Sequence, residues 1–553
     1  MEDKHIKAKE DSNKFTDAIL NSKSKNKVVV AGPGTGKTYL FQKILEGKRK
    51  ALTLSFVNSL VEDLSLGLYG LSEVKTLHGY ARSELGKNCG DIKIFPKLSM
   101  VINEDHIILQ NESVLFDELF YNREDESKYI EFYKTRRKYY GKFYGYADVI
   151  YALIKYLEAN NDKVPNYDNV LVDEFQDFNK LEISLIDLLG QKSPILLAGD
   201  DDQALYIDLK KASPEFIRTR YSEQCQEYES FTLPFCRRCT RVIVNATNEI
   251  INGAKSIGLL SGRIDKKYIY YDDPTKDKES DKNPKIVYRQ KYSNSIPDYI
   301  EKQIRLLAEE NKKEFEVLII SPTNGKSKSI VSKLKEKGLS NIESKDKQEN
   351  ENPSLLDGLI LLSEDGKGNL GWRIAIKHLI TDSEFSDLIK LTAENNPKNI
   401  IDLISSSKKK EVLDLLKTYK QINNGQKVAD EKLINFFNKN EIDPMKSAVD
   451  QLRTKLYARI KTGDPGIRKI PIKATTIQSS KGLSSDYVFI THFDDQYFIK
   501  NKDRSVSDQD IYNFLVALTR AKKKVFLISS DTTRTPTFLS WIKQDNIDSS
   551  NRN

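Results

Sequence analysis

The chain has 553 residues, 39% hydrophobic and 30% charged, a globular composition too long for one hydrophobic core to organise. Lys and Arg total 88 against 80 Asp and Glu, and the resulting +8 suits a polyanionic partner without requiring one. Residues 1–10 lack the apolar core of a signal peptide, the longest apolar runs are only strand-length, and four cysteines make no disulfide framework, so the expectation is a cytoplasmic protein with no membrane span.

In chain order, residues 27–31 read as an apolar strand, followed by a Gly/Pro turn and a helical pattern over 37–45. Residues 51–56, 170–173 and 195–199 read as further strands, and the same grammar returns at 317–321, 473–476, 487–491 and 524–529. Nearly continuous apolar strands of this length suit parallel sheets covered by helices on both faces, which predicts an α/β fold with two doubly wound domains. Two largely helical stretches interrupt the pattern. The expected division is 1–85 with 144–255, a helical insertion at 86–143, then 256–345 with 471–553, and a helical insertion at 346–470 broken by polar residues at 423–426. Residues 272–285, polar with two prolines, read as a surface connection.

The first motif is Ala31-Gly32-Pro33-Gly34-Thr35-Gly36-Lys37-Thr38, between a strand and a helix. Glycines let backbone N–H groups cradle phosphates, and the helix N-terminus adds positive potential. Lys37 would reach the β- and γ-phosphates of ATP, and the Thr38 hydroxyl would ligate Mg²⁺. Leu171-Val172-Asp173-Glu174-Phe175-Gln176-Asp177 ends another apolar strand; Asp173 would hold the metal and Glu174 would deprotonate the attacking water. In Ala198-Gly199-Asp200-Asp201-Asp202-Gln203 a strand leads to a carboxamide that can sense the γ-phosphate.

With Thr53-Leu54-Ser55-Phe56-Val57-Asn58, Thr76-Leu77-His78-Gly79, Phe235-Cys236-Arg237-Arg238, Thr476-Ile477-Gln478-Ser479-Ser480-Lys481-Gly482-Leu483 and Val516-Ala517-Leu518-Thr519-Arg520-Ala521, the set resembles the superfamily 1 helicases of the UvrD, Rep and PcrA type, in the family's order. The resemblance implies two RecA-like domains, 1A and 2A, carrying smaller insertions 1B and 2B, with ATP and Mg²⁺ between 1A and 2A. It implies Arg237 (or Arg238, one place on) and Arg520 as arginine fingers and Gln203 as the coupling residue. Single-stranded DNA or a 3′-tailed duplex would touch Phe56, Asn58, Thr76, His78, Tyr206, Thr476, Gln478 and Ser479, with 3′–5′ polarity. An accessory ATPase beside a nuclease partner, as in antiviral systems such as Gabija, is the alternative, and a catalytically dead binding protein a third. Against the third stand Lys37, Thr38, Asp173, Glu174, Gln203, Arg237 and Arg520, all present.

The chain also departs from the family. No Gln precedes the phosphate loop, where Phe15 stands; Cys236 takes the place of the base-stacking tyrosine; Ser484 replaces a Glu; and Tyr206-Ile207-Asp208-Leu209-Lys210-Lys211 replaces an aromatic–Arg–Gly segment. Looser base selectivity is expected. Residues 132–146 interleave cations and aromatic rings, which fits nucleic-acid contact and an amphipathic packed helix alike. The lone Cys236-x-x-Cys239 reads as packing.

Overall fold

The computed structural model describes residues 2–56, 58–311, 314–339, 341–344, 352–394, 397–424 and 470–550. Val57 and the 425–469 part of the second insertion lie outside them, as does the side chain of Asn58. Contacts divide the chain into two units. One comprises Met1–Gly79, Ala159–Lys347 and Asp464–Asn553, and the other Tyr80–Glu158 with Gln348–Gly463.

The strands, in chain order, are β1 (Asn26–Ala31), β2 (Ala51–Ser55), β3 (Glu73–Thr76), β4 (Lys93–Ile94), β5 (Phe143–Tyr144), β6 (Asn169–Val172), β7 (Ile195–Gly199) and β8 (Glu229–Leu233). They continue with β9 (Phe235–Cys236), β10 (Ile269–Tyr270), β11 (Ile286–Gln290), β12 (Val317–Ser321), β13 (Ile342–Ser344), β14 (Ile472–Thr476), β15 (Ser485–Thr491), β16 (Ala521–Ser529) and β17 (Ile547–Asp548). The first unit holds a six-stranded sheet, ordered β3-β2-β6-β7-β1-β8, and a seven-stranded sheet, ordered β13-β14-β12-β15-β16-β11-β17. Every described pairing is parallel. This is the α/β architecture the apolar runs require: β2, β7 and β12 are buried at every position, which only a sheet covered on both faces allows.

The strand order has a functional consequence. β6, β7 and β1 are neighbours, so the three loops that leave their carboxyl ends meet at one edge although they are far apart in sequence. A core cluster joins helix Arg241–Ser256 to helix Asp508–Leu518 and to β15 and β16, tying the two sheets into one unit.

Residues 272–285 differ from the expected connection, since Pro274–Lys282 is a helix. Asp273 caps it by accepting from the N–H groups of Thr275 and Lys276, with Pro274 in the first turn. The helix buries only Ser280, so it carries no apolar period for the sequence to show.

Among the described residues the second unit is helical apart from the small β4–β5 ribbon. Its two insertions, separate in sequence, share one core: Ile108, Leu109 and Tyr139 pack on Leu359, Trp372, Phe385 and Ile389. At its centre Asp105 accepts from Arg136 Nη2 at 2.6 Å, from Arg373 Nη2 at 2.8 Å and from the Tyr140 hydroxyl. The basic, aromatic stretch 132–146 is therefore chiefly packing, with Tyr133, Arg136, Tyr140 and Phe143 buried and Arg137 lying 4.0 Å over the Tyr144 ring.

Among the described residues no helix is long and apolar enough to cross a membrane.

Candidate active site

The phosphate loop leaves β1 and enters helix Lys37–Leu45 through Gly36, whose φ of 97° is left-handed and suits only glycine at no cost. Gly34, at φ 70°, is constrained from outside as well, because a Cβ there would collide with the Cβ of Arg238. Thr35 ties the turn by donating its hydroxyl to the Gly32 carbonyl at 2.9 Å.

Lys37 Nζ donates to Glu174 Oε1 at 2.7 Å and lies 3.6 Å from Asp173 Oδ1. Burial opposes the charge on Lys37, but Glu174 and then Asp173 hold its pKa well above the ordinary lysine value. Glu174 sits at φ 55°, a left-handed conformation rare for a side-chain-bearing residue and found at strained functional positions. Despite burial, Lys37 and Lys481 hold its carboxyl well below the usual range. Asp173 is raised, first by burial and then, against the pull of Lys37, by the neighbouring Glu174 charge. Its Oδ1 is buried without a hydrogen bond. A buried carboxylate oxygen with no hydrogen bond, 3.6 Å from Lys37, with the exposed Thr38 at the start of the helix, is a donor set that fits a hard divalent cation.

A chain of polar contacts leads from this point into the second sheet. Gln176 Nε2 donates to Glu174 Oε2 at 2.7 Å, and its Oε1 accepts the Asp200 N–H at 2.9 Å. Asp200 Oδ2 accepts from Gln203 Nε2 at 2.6 Å, and Gln203 Oε1 accepts from Arg520 Nη2 at 3.0 Å. Lys481, on the loop after β14, donates to the Gln203 carbonyl at 2.6 Å, pairs with Asp177 and lies 3.6 Å from Glu174. Burial and then the charge of Arg238 push Arg520 down to about 10.

One expected residue points elsewhere. Arg237 turns to Ser12, donating to its hydroxyl at 2.9 Å, and lies 4.2 Å over the Tyr271 ring, away from the acidic pair. Arg238 packs its Cβ against Gly34, whose carbonyl accepts the Arg237 N–H at 2.8 Å, and it is the charge of Arg238 that Arg520 feels. A pocket beside the loop, lined among others by Phe15, Thr16, Tyr39, Phe235 and Arg237, presents flat faces where a nucleotide base would lie. Sequence reasoning passed over Lys481, Gln176 and Tyr39, although all three stand inside or directly beside the quoted motifs.

Of the residues expected to touch DNA, Phe56 and Tyr206 are both 5% exposed. Their rings lie 4.6 Å apart, and Lys210 covers Phe56 at 4.3 Å, so neither offers a free face to a base. Tyr206 instead donates its hydroxyl to the Gln478 carbonyl at 3.3 Å, joining the β7 and β14 loops. Thr76, His78, Gln478 and Ser479 are half-buried and Thr476 is buried; Thr76 and Thr476 end β3 and β14, and the others stand on the helical turns that follow. Burial and then Lys210 push His78 down to about 3, leaving a neutral ring. Asp200, Asp201 and Asp202 are close enough to share a metal, but Lys266 occupies their centre, 2.6 Å from Asp200 and 3.0 Å from Asp202, with Arg263 on Asp202 and Arg218 on Asp201.

A family model described as an AAA domain matches residues 16–208, and one described as a UvrD-like helicase C-terminal domain matches residues 380–532. The chain is 29% identical over 130 residues to the protein of Lactococcus lactis subsp. cremoris named as the A component of an ATP-dependent helicase/nuclease, covering 22% of this chain and 11% of that protein. It is 26% identical over 131 residues to the protein of the same name from Streptococcus pneumoniae, again 22% of this chain and 11% of the relative. The matched stretch thus spans about a tenth of each relative's length.

Proposed function

The chain belongs to the UvrD-like superfamily 1 helicases, and from that premise we propose that it is an ATP-dependent motor on single-stranded DNA, moving 3′ to 5′. In this reading the first sheet is domain 1A, the second is 2A, and the helical unit is 1B with 2B. The observation that carries it is the contact of Arg520 Nη2 with Gln203 Oε1 at 3.0 Å, which joins the phosphate-sensing loop of one sheet to a cation of the other.

Lys37 and Arg238 bind the phosphates of ATP, and Arg520 stabilises charge that develops as the γ-phosphoryl group leaves. Thr38 and Asp173 would hold Mg²⁺, which when bound would neutralise charge at the phosphates. Lys37 is engaged by Glu174, which keeps Glu174 a weak base. Drawing Lys37 onto the phosphates removes that partner and raises the basicity of Glu174, which Gln176 still orients toward the attacking water. Loss of the phosphate returns Lys37 to Glu174, and the strain passes through Gln203 to Arg520 and the second sheet. Loops after β3 and β14 (Thr76, His78, Gln478 and Ser479) serve the DNA strand.

A second reading, an accessory ATPase that works beside a nuclease, draws on the names of the relatives, each part of a helicase/nuclease. ATP hydrolysis with and without single-stranded DNA, run beside unwinding of a 3′-tailed duplex, separates them. Strong stimulation with unwinding supports the motor, stimulation without unwinding the accessory ATPase, and hydrolysis indifferent to DNA overturns both.

A further inference from the structure

The spacing of Cys236 and Cys239 reads as packing, and both are free and 0% exposed in a hydrophobic core, yet their polar contacts reach the phosphate loop and the residue before Arg520. Cys236 Sγ accepts from the Tyr268 hydroxyl at 3.0 Å and from the Cys239 N–H at 3.4 Å. That same hydroxyl lies 2.9 Å from the carbonyl of Pro33 in the phosphate loop. The Cys239 thiol points at the Thr519 carbonyl, 3.7 Å away, in the residue before Arg520. Arg238, packed on Gly34, lies between the two cysteines. A small cavity lined by Gly32, Pro33, Tyr268 and Thr519 touches the partners of both sulfurs.

The two thiols are also unequal. Burial disfavours a thiolate at Cys236, but hydrogen bonds from Cys239 and Tyr268 bring its pKa well below the ordinary thiol range. The hydrogen bond to Cys236, with burial, raises Cys239. Cys236 ends β9, and Cys239 stands just before Thr240, the N-cap of helix Arg241–Ser256. A nucleophilic sulfur beside a protonated one is the arrangement a resolving pair needs.

We propose that Cys236 and Cys239 form a redox-modification site: a hydroperoxide converts the dithiol to an intramolecular disulfide, and the disulfide form hydrolyses ATP slowly. Cys236 sulfur attacks the peroxide, an S–O bond forms as the O–O bond breaks, and the other oxygen leaves as water or alcohol with one proton. Cys239 sulfur then attacks Cys236, the S–S bond forms as the S–O bond breaks, and water leaves with the thiol proton. Two electrons pass from the thiols to the peroxide. The bond draws Cys236 from Tyr268 and Cys239 from Thr519, and it carries Arg238 from its seat on Gly34. The inhibition rests on the hydrolysis proposed above; the disulfide does not.

The test treats the full chain with hydrogen peroxide, blocks free thiols and maps the peptides by mass. The expected result is a Cys236–Cys239 disulfide reversed by dithiothreitol, with DNA-stimulated hydrolysis falling about tenfold or more and recovering on reduction. A chain carrying Cys89→Ala and Cys225→Ala should switch in the same way, and adding Cys239→Ala should remove both the disulfide and the reversible loss. Peptide mapping of the wild-type chain decides the matter even if that variant fails to fold. Both thiols staying free while Cys89 oxidises overturns the proposal, and so does a disulfide that leaves hydrolysis unchanged. A reduced protein without ATPase activity overturns the function proposed above, and the peptide map then judges the disulfide alone.

Discussion

Each unit buries a cluster of charge, and the two clusters are built on opposite rules. In the helical unit, Asp105 is completely provided for: Oδ1 takes both a 3.1 Å and a 2.8 Å bond from Arg373, and Oδ2 takes Arg136 and Tyr140. Arg136 and Arg373 spend their remaining donors on Thr392 and on Glu104 and the Val101 carbonyl. Although burial opposes it, the two guanidiniums hold Asp105 below the usual carboxylate range. In the hydrolysis site the pairing is left open. Asp173 keeps an orphaned oxygen, Glu174 holds a left-handed backbone, and Arg520 leans on carbonyls and an amide. A buried network that is fully satisfied specifies one structure; one left short of partners stores free energy that a ligand can release.

The strongest test of this contrast removes chemistry from the open cluster. Lys37→Ala, Glu174→Gln and Arg520→Ala should each lower DNA-stimulated ATP hydrolysis by roughly a hundredfold or more. Glu174→Gln should still bind nucleotide, because the phosphate cradle is intact. Wild-type turnover in Glu174→Gln would remove the general base from the account.

The next effect belongs to the closed cluster. Asp105→Ala strands two buried guanidiniums and should cost about 3 to 5 kcal/mol in denaturant unfolding. Asp173→Asn, the comparable change in the open cluster, should leave stability level or higher while hydrolysis fails. Equal losses from both would erase the distinction.

Acidity acts on the open cluster alone. The raised pKa of Asp173 means protons compete with Mg²⁺ at a pH where an exposed aspartate is already ionised. As pH falls through that range, half-saturating Mg²⁺ should climb by up to about tenfold per pH unit, read from hydrolysis titrations. Asp105, held low, gives its own cluster no matching transition, although burial raises the separate Asp148 of the helical unit to about 7. A flat Mg²⁺ requirement down to the pH of ordinary carboxylates would contradict this.

The smallest effect concerns the base. Phe15, Tyr39 and Arg237 offer ring and guanidinium faces, which stack on any base. GTP should compete with ATP to within about a hundredfold, and Tyr39→Ala should weaken both by about 1 to 3 kcal/mol. A larger preference for ATP, or a loss confined to ATP in Tyr39→Ala, would mean that the pocket reads adenine.

Much of the first unit could be read in advance. The apolar runs of β1, β2, β6 and β7 are confined to strand length and end in motif residues, so the strands and the loops that leave them show in one dimension. β3 and β8 do not, because their burial is partial and their residues mixed. Helix Pro274–Lys282 is polar on every face, and only its Asp-Pro start betrays it.

What the sequence determined by itself is the chemistry of the proposed phosphate site. Gly34, Gly36, Lys37, Asp173 and Glu174 are tied to backbone conformation and to charge at strand ends, both local properties. The tertiary structure decided which distant groups meet. It set the Cβ of Arg238 against Gly34 and turned the Arg237 guanidinium to Ser12 and Tyr271. It turned Phe56 and Tyr206 inward onto each other and set Lys481 against Asp177. It also made one core of two insertions more than two hundred residues apart, closed by Arg136 and Arg373 on Asp105. Pairings of that separation leave no periodicity in the chain, since they depend on loop closure and shape rather than on neighbouring residues.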